Sequence, residues 1–203
     1  MISRGENTLS YDANGNLLGE SGSSDQMDYT YSVDNRMVSA LTSVNNKDIE
    51  VLFSYDALGR RTDRTENIYQ CNNHRLQKTT TDYYFYSGTS MQMSSRSYQH
   101  KNNPNRSLTQ DYFYGVGGLT SFTGERDTYY AFSDYQGSMT AFVDRHSLKD
   151  DYLYDAFGSL VLGSFDADNV LGYNGKAFDE TTKLFNYGYR DYAPAHASFT
   201  YDR

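Results

Sequence analysis

Three short stretches of the sequence follow one pattern: Tyr11-Asp12-Ala13-Asn14-Gly15-Asn16-Leu17, Tyr55-Asp56-Ala57-Leu58-Gly59-Arg60 and Tyr154-Asp155-Ala156-Phe157-Gly158. Each contains a Tyr-Asp step, two further residues and a Gly, and each is flanked by residues that favour strands. A phrase repeated along a chain is typical of proteins whose supersecondary units bury their faces against their neighbours. The pattern therefore predicts a surface or a shell rather than an enzyme built around one pocket.

Each residue type of the pattern has a predicted place in a β-hairpin. The Tyr packs at the end of a strand, the Asp accepts backbone N–H groups at the start of the turn, and the Gly supplies a positive φ. The residues predicted in these structural roles are Tyr11, Tyr55 and Tyr154, then Asp12, Asp56 and Asp155, then Gly15, Gly59 and Gly158.

Looser copies of the pattern lie between the clear ones. Tyr31-Ser32-Val33-Asp34-Asn35-Arg36-Met37 has Asn35 at the Gly position, and Asn tolerates a positive φ better than other side chains. Asp134-Tyr135-Gln136-Gly137-Ser138 and Tyr173-Asn174-Gly175-Lys176 are compressed relatives. Tyr11 and Tyr31 are 20 residues apart. A step of about 20 residues fits two strands with their turns, which predicts successive antiparallel hairpins.

The composition indicates an ordered, all-β chain with little helix. The 203 residues include 21 Tyr and 11 Phe, although the mean hydropathy is only −0.77. Disordered chains are poor in aromatic residues, and a Tyr ring can be buried while its hydroxyl stays hydrogen-bonded. Pairs of Tyr two residues apart point to one face of a strand. These pairs are Tyr29/Tyr31, Tyr84/Tyr86, Tyr112/Tyr114, Tyr152/Tyr154 and Tyr187/Tyr189.

Charge and cysteine content exclude several classes of function. A net charge of −8 disfavours a nucleic-acid partner, which would be held through its phosphates. The single Cys71 excludes an intrachain disulfide framework and a Cys-based zinc site. The sequence shows no signal peptide and no stretch of membrane-spanning length. The compartment therefore stays open.

The polar residues form no recognisable catalytic or metal-binding motif. The four His residues are far apart and are predicted on the surface: His74, His100, His146 and His196. The acidic stretches Asp150-Asp151 and Asp166-Ala167-Asp168-Asn169 lack the closing Glu of a calcium loop. We therefore predict no catalytic residue, no metal ligand and no cofactor, and a chain that is not an enzyme.

A binding function is the alternative to a purely structural one. Tyr-rich surfaces can hold sugars by stacking a ring against the apolar face of a hexose. Tyr112 and Tyr114 are the candidate residues for stacking a carbohydrate or a cell-surface glycan.

The repeats resemble the YD repeats of Rhs proteins, of bacterial insecticidal toxin-complex components and of animal teneurins. The later part of the chain is similar to the end of the Rhs-associated core domain. The resemblance covers most of the chain and is strongest from Tyr129 to Phe199. The stretches that carry it are Tyr129–Met139, Tyr152–Gly158, Gly172–Lys176 and Asp179–Tyr192.

The resemblance implies an architecture and a set of partners. In this family, successive β-hairpins form a curved or spiralling sheet that is part of a hollow shell. The shell encloses a toxin in bacterial members and presents a recognition surface in teneurins, and family members are secreted or associated with the cell surface. It implies a hairpin array over residues 1–128 and a core-like segment over 129–203 in the same sheet. The implied partners are other YD-repeat segments, a second copy, or a toxin or effector cargo.

The end of the sequence departs from the family pattern. After Thr200 the family continues into an Asp-Pro segment that cuts the chain from its toxin, whereas this sequence reads Tyr201-Asp202-Arg203. We therefore expect a non-catalytic shell segment that stops before the self-cleavage segment.

Overall fold

A computed structural model describes residues 2–4, 7–22, 26–100, 103–165 and 169–201, with backbone only at 2–4, 100 and 103–105. Asp202 and the acidic residues 166–168 lie outside this range, as does the side chain of His100. The strands are β1 (Ile2–Arg4), β2 (Asn7–Tyr11), β3 (Leu17–Ser21), β4 (Met27–Tyr31), β5 (Met37–Val44), β6 (Lys47–Tyr55), β7 (Arg61–Gln70), β8 (Arg75–Tyr86), β9 (Met93–His100), β10 (Asn103–Gly115), β11 (Gly118–Thr123), β12 (Thr128–Ser133), β13 (Met139–Val143), β14 (Leu148–Asp151), β15 (Leu153–Tyr154), β16 (Leu160–Leu162), β17 (Ala177–Asp179), β18 (Leu184–Asn186), β19 (Asp191–Ala193) and β20 (Ser198–Phe199).

The prediction of an all-β chain of successive antiparallel hairpins is confirmed. Each strand from β2 to β14 follows its sequence neighbour in the sheet order. Helical structure in the described residues is confined to two short 3₁₀ turns, Tyr173–Gly175 and Pro194–His196. None of the described helical segments is long and apolar enough to cross a membrane.

The chain divides into two compact units. The first unit comprises residues 1–82 and 188–203, and the second comprises residues 83–187. The division falls within β8, and the predicted boundary between residues 128 and 129 lies inside the second unit.

In the first unit, β1 to β8 form a meander, and buried residues alternate with more exposed ones over parts of β3, β4 and β6. Met27 and Tyr29 of β4 are buried, whereas Asp28 and Thr30 between them are exposed. Such alternation follows from the twofold period of a strand, so Met27 and Tyr29 lie on the buried face of this sheet and Asp28 and Thr30 lie on its solvent face. The C-terminal hairpin of β19 and β20 belongs to the same unit, and the Leu17 N–H donates to the Thr200 carbonyl at 2.7 Å.

In the second unit, the end of β8 and strands β9 to β14 continue the same pattern. The buried face carries a chain of aromatic rings around Phe122, whose ring centroid lies 5.2 Å from that of Tyr129 and 5.3 Å from that of Phe142. A second aromatic cluster joins Phe165 to Phe178 at 4.7 Å and Phe178 to Phe185 at 4.8 Å. Off-centre and edge contacts of this kind stabilise a core beyond the area they bury.

Candidate functional site

The recurring feature of the fold is a five-residue turn, and Asp12 begins one example. The Asp12 N–H donates to the Asn16 carbonyl at 2.9 Å, and the Gly15 N–H donates to the Asp12 carbonyl at 3.2 Å. The Asp12 Oδ1 accepts the N–H groups of Asn14 and Asn16, both at 2.8 Å. Gly15 has a φ of 88°, a conformation that other side chains rarely adopt. One carboxylate thus satisfies two turn N–H groups that no strand partner reaches.

The other two clear copies of the pattern adopt the same turn. The Asp56 Oδ1 accepts the N–H groups of Leu58 and Arg60, both at 2.9 Å. The Asp155 Oδ1 accepts those of Phe157 and Ser159 at 2.8 and 2.9 Å. The corresponding glycines have φ values of 78° at Gly59 and 88° at Gly158.

Two looser copies show which parts of the turn can vary. Asp134 repeats the full bonding scheme, with its Oδ1 2.9 Å from the Gln136 N and 2.8 Å from the Ser138 N. Ser32 replaces the Asp in the turn that ends at Arg36, and its Oγ accepts the Arg36 N–H at 3.2 Å. Asn35 has a φ of 60°, so the expected tolerance of Asn at the Gly position is confirmed.

The turn carboxylates are engaged as hydrogen-bond acceptors rather than poised for proton transfer. The hydrogen bond from the Asn16 side chain, together with backbone N–H groups, lowers the pKa of Asp12. Burial raises the pKa of Asp56 and of Asp155. The hydrogen bonds that each carboxylate accepts outweigh this effect and keep its pKa below the ordinary value. A carboxylate that stays ionised and occupied is suited to holding a turn and unsuited to general acid catalysis.

The Tyr that precedes each turn lies at an irregularity of the strand. Register shifts occur immediately before Tyr11, Tyr55 and Tyr154. Equivalent shifts precede Tyr31, Tyr86 and Tyr114. A bulge of this kind bends the strand and re-aims a side chain. Tyr86 and Tyr114 therefore occupy the same structural position as the repeat tyrosines. Sequence reasoning missed this equivalence because neither Tyr is followed by Asp.

Two of these tyrosines make the same hydrogen bond. The Tyr55 hydroxyl donates to the Met37 carbonyl at 2.8 Å, and the Tyr114 hydroxyl donates to the Met93 carbonyl at 2.9 Å. Each acceptor is the first residue of the neighbouring strand. Burial raises the pKa of both phenols, as it does for Tyr154. Each hydroxyl thereby ties the end of its own strand to the beginning of the strand before it.

The candidate glycan-stacking residues lie on the buried face of the second unit. Tyr112 is only 5% exposed, and its hydroxyl donates to the Gln110 Oε1 at 2.6 Å. Tyr114 is half-buried, and its hydroxyl is held by Met93. Little of either ring is presented to solvent, because the alternation along β10 turns both residues inward and Phe113 outward.

A buried ion pair in the first unit has no signal in the local sequence. The Arg61 Nη2 donates to the Asp191 Oδ1 and Oδ2 at 3.0 and 3.1 Å, and both side chains are buried. The guanidinium carbon of Arg61 lies 3.8 Å from the ring centroid of Phe53. The two charged residues are 130 positions apart in the sequence. Only the fold brings them together, since no motif links them.

The placement of His196 corrects one sequence prediction. His196 is buried, and its Nε2 lies 2.9 Å from the Glu20 Oε1, which also accepts a hydrogen bond from the Asn7 Nδ2 at 2.7 Å. The prediction that all four His residues lie on the surface is therefore wrong for His196. His196 packs against β3 through Glu20, a contact between residues far apart in the sequence. His74 and His146 are exposed.

The thiol of Cys71 is held by a hydrogen bond to a carboxylate. The Cys71 Sγ donates to the Asp48 Oδ1 at 3.1 Å, and this hydrogen bond raises the pKa of the thiol. A thiol of raised pKa is a poor nucleophile at neutral pH. Within the described ranges, no group of three or more His, Cys, Asp or Glu residues is placed to hold a metal ion.

Comparison with known proteins places these features in a family. The family model described as the teneurin YD-shell matches residues 1–203. A solved structure, the crystal structure of TcdB2-TccC3 without its hypervariable C-terminal region, is 13% identical with a TM-score of 0.36. That match covers 96% of this chain and 15% of the other, so the chain spans only a small part of that protein. The prediction of a YD-repeat protein is confirmed: this chain belongs to the teneurin YD-shell family.

Proposed function

We propose that this chain is a non-catalytic wall segment of a YD-repeat shell that encloses a toxin or effector polypeptide. The observation that carries the proposal is a turn closed by the same two backbone hydrogen bonds at six places in the described residues, beginning at Asp12, Ser32, Asp56, Asp134, Asp155 and Gly172. A scaffold needs the same turn at many places, whereas an active site needs a single arrangement of groups. The membership of the YD-shell family supports the same function.

The turn residues have a structural role in this proposal. The Asp and Gly of each pattern hold the corner, and the Tyr fixes the strand that leads into it. Family resemblance supports other YD-repeat segments as neighbours of such a wall and a core-like role for residues 129–203. The absence of catalysis is part of the proposal, and the hydrogen-bonded state of Asp12, Asp56 and Asp155 supports it.

Limited proteolysis of the natural protein that contains this chain tests the proposal. Mass spectrometry would follow peptides of the shell and of any polypeptide encoded with it. We expect the cargo peptides to resist protease until denaturant unfolds the shell, and single-particle images to show a hollow body. Cargo peptides that are cut as fast as in the isolated cargo would overturn the enclosing function.

A further inference from the structure

The solvent face of the second unit carries five large aromatic side chains. They lie on alternate strands and are each 51–54% exposed: Tyr83, Phe85, Phe113, Tyr130 and Phe132. We call these five residues the aromatic band. Exposed aromatic residues are common singly, but a set of five on one face of one sheet is a recognisable apolar patch.

The strand registers place all five rings on the same face. Phe85 of β8 pairs with Ser95, which pairs with Asp111, and Phe113 lies two residues beyond Asp111 on β10. Phe113 pairs with Ser121, and Ser121 pairs with Tyr130 of β12. Side chains two residues apart, or directly opposite on paired strands, point the same way. The aromatic band therefore crosses the sheet diagonally from β8 to β12.

Among the described residues, the rings of the aromatic band are separate from the aromatic contacts of the buried face. None of the ring contacts between described residues involves them, whereas the rings of the buried face are in contact with one another. Serine and threonine side chains occupy the intervening strands, at Ser95 and Ser97 on β9 and at Ser121 and Thr123 on β11. Aromatic faces therefore alternate with hydroxyl groups across the face.

This alternation matches the chemistry of an extended oligosaccharide. Alternate strands are about 9.5 Å apart, so the rings form separate platforms rather than one continuous cluster. A β-linked hexose presents a flat apolar C–H face that stacks on an aromatic ring and an edge of hydroxyl groups that hydrogen-bond to Ser, Thr or Asp. Successive sugars can use successive platforms.

The size of the patch favours such a ligand over a protein partner. Five half-exposed rings present roughly 500 Å² of aromatic surface. A stable protein interface buries about 800 Å² on each partner and has a contiguous apolar centre. The aromatic band is smaller than that and is interrupted by polar side chains.

The charge of the patch favours a neutral ligand. Asp111 is exposed between Phe85 and Phe113, and the positions that pair with the band on β9, β11 and β13 are Ser95, Ser97, Ser121, Ala141 and Val143. An anionic glycan would meet a carboxylate with no cation at these positions to offset it.

We propose that the aromatic band of the second unit binds a neutral, extended, β-linked oligosaccharide. This binding does not depend on whether the chain encloses a cargo, because it uses only the solvent face of one unit. It assigns sugar stacking to the solvent face of the sheet instead of to Tyr112 and Tyr114 on the buried face.

Isothermal titration calorimetry of the full chain with cellohexaose and with chitohexaose tests the proposal. We expect measurable heat with at least one of these neutral hexasaccharides at millimolar concentration, and none with a heparin hexasaccharide. Phe113→Ala and Tyr130→Ala each remove one stacking platform and should weaken binding about tenfold. Circular dichroism would show that both variants keep the strand content of the parent chain.

Tyr135→Ala is the matched control, because Tyr135 is a 95% exposed aromatic residue of the same unit that lies in a turn outside the aromatic band. It should bind as the parent does. Absence of heat with both neutral hexasaccharides would overturn the proposal, as would equal binding by Phe113→Ala. Sedimentation showing a dimer that Phe113→Ala dissociates would identify a second copy as the occupant and would overturn it too.

Discussion

The two units use the same turns and differ on their solvent faces. In the first unit, polar side chains bond across the strands: the Thr30 and Ser39 hydroxyls are 2.6 Å apart, and the Ser54 Oγ lies 3.0 Å from the Asp63 Oδ1. In the second unit, the corresponding face carries the aromatic band. Because turn and buried face hold the sheet together, the solvent face is free to change its chemistry. The two units thus share the turns of the repeat and differ in the side chains of their solvent faces.

The two units also bury their inner faces differently. The second unit relies on contacts among aromatic rings, such as those of Phe122 and Phe142. The first unit adds the Arg61–Asp191 pair and the Glu20–His196 contact, which attach residues 188–201 to the meander. Ring contacts stabilise wherever apolar area is buried, whereas a buried ion pair stabilises only while both partners are present.

The largest expected loss of stability distinguishes a residue on the buried face of the second unit from one on its solvent face. Phe122→Ala removes a fully buried ring and should lower the free energy of unfolding by about 4 kcal/mol. Phe113→Ala, on the opposite face of the neighbouring strand, should lower it by less than about 1 kcal/mol. Urea unfolding followed by circular dichroism measures both. Equal losses would contradict the assignment of inner and outer faces.

The ion pair of the first unit gives the next largest effect. Asp191→Ala leaves the Arg61 guanidinium buried without its carboxylate and should cost about 3 kcal/mol. Hydrogen exchange should show the loss in residues 1–82 and 188–201 more than in residues 83–187. The double variant Arg61→Met with Asp191→Leu should recover most of the stability, because it leaves no unpaired charge. If the double variant stayed as unstable as Asp191→Ala, the ion pair would stabilise the fold by more than the neutralisation of two buried charges.

Substitution of Ala for three glycines tests equivalent turn positions, one in the first unit and two in the second. Gly158→Ala should cost about 1–2 kcal/mol from its positive φ, and more because the new Cβ would lie 2.5 Å from the Tyr173 ring. Gly59→Ala meets the Arg36 guanidinium, which can move aside, so the cost should approach that of strain alone.

Gly137→Ala serves as the control, since its φ is 83° and nothing lies within 4 Å of the new Cβ. Thermal unfolding of the three variants should therefore rank Gly158→Ala as the least stable. If Gly137→Ala were as unstable as Gly158→Ala, the contact of the new Cβ with the Tyr173 ring could not explain the loss of stability at Gly158.

The smallest expected effect concerns the free energy of unfolding of both units at high pH. Burial raises the pKa of Tyr55 in the first unit and of Tyr114 in the second above the ordinary value of 10.0. A phenol with a raised pKa in the folded state stabilises the fold below pH 10, and this contribution is lost as pH rises further. Ultraviolet difference spectra should show these phenolates only when circular dichroism shows unfolding. Early ionisation of either phenol in a folded chain would contradict its burial.

Local features of the fold were accessible to sequence reasoning. The all-β class, the hairpin order and the family follow from Tyr-Asp-x-x-Gly patterns, because each turn is closed by contacts within five residues. The positive φ of Asn35 was expected for the same reason. The equivalence of Tyr86 and Tyr114 to the repeat tyrosines was not accessible, since it depends on register shifts between strands.

The sequence by itself determined the turns, the strands and the kind of protein, because these depend on residues close together in the chain. Only the tertiary structure decided which face of each strand is buried. That decision placed Tyr112 inside and Phe113 outside, buried His196 beside Glu20 and joined Arg61 to Asp191. Alternation along a strand defines two faces without saying which one meets solvent, and a pair 130 residues apart leaves no local trace.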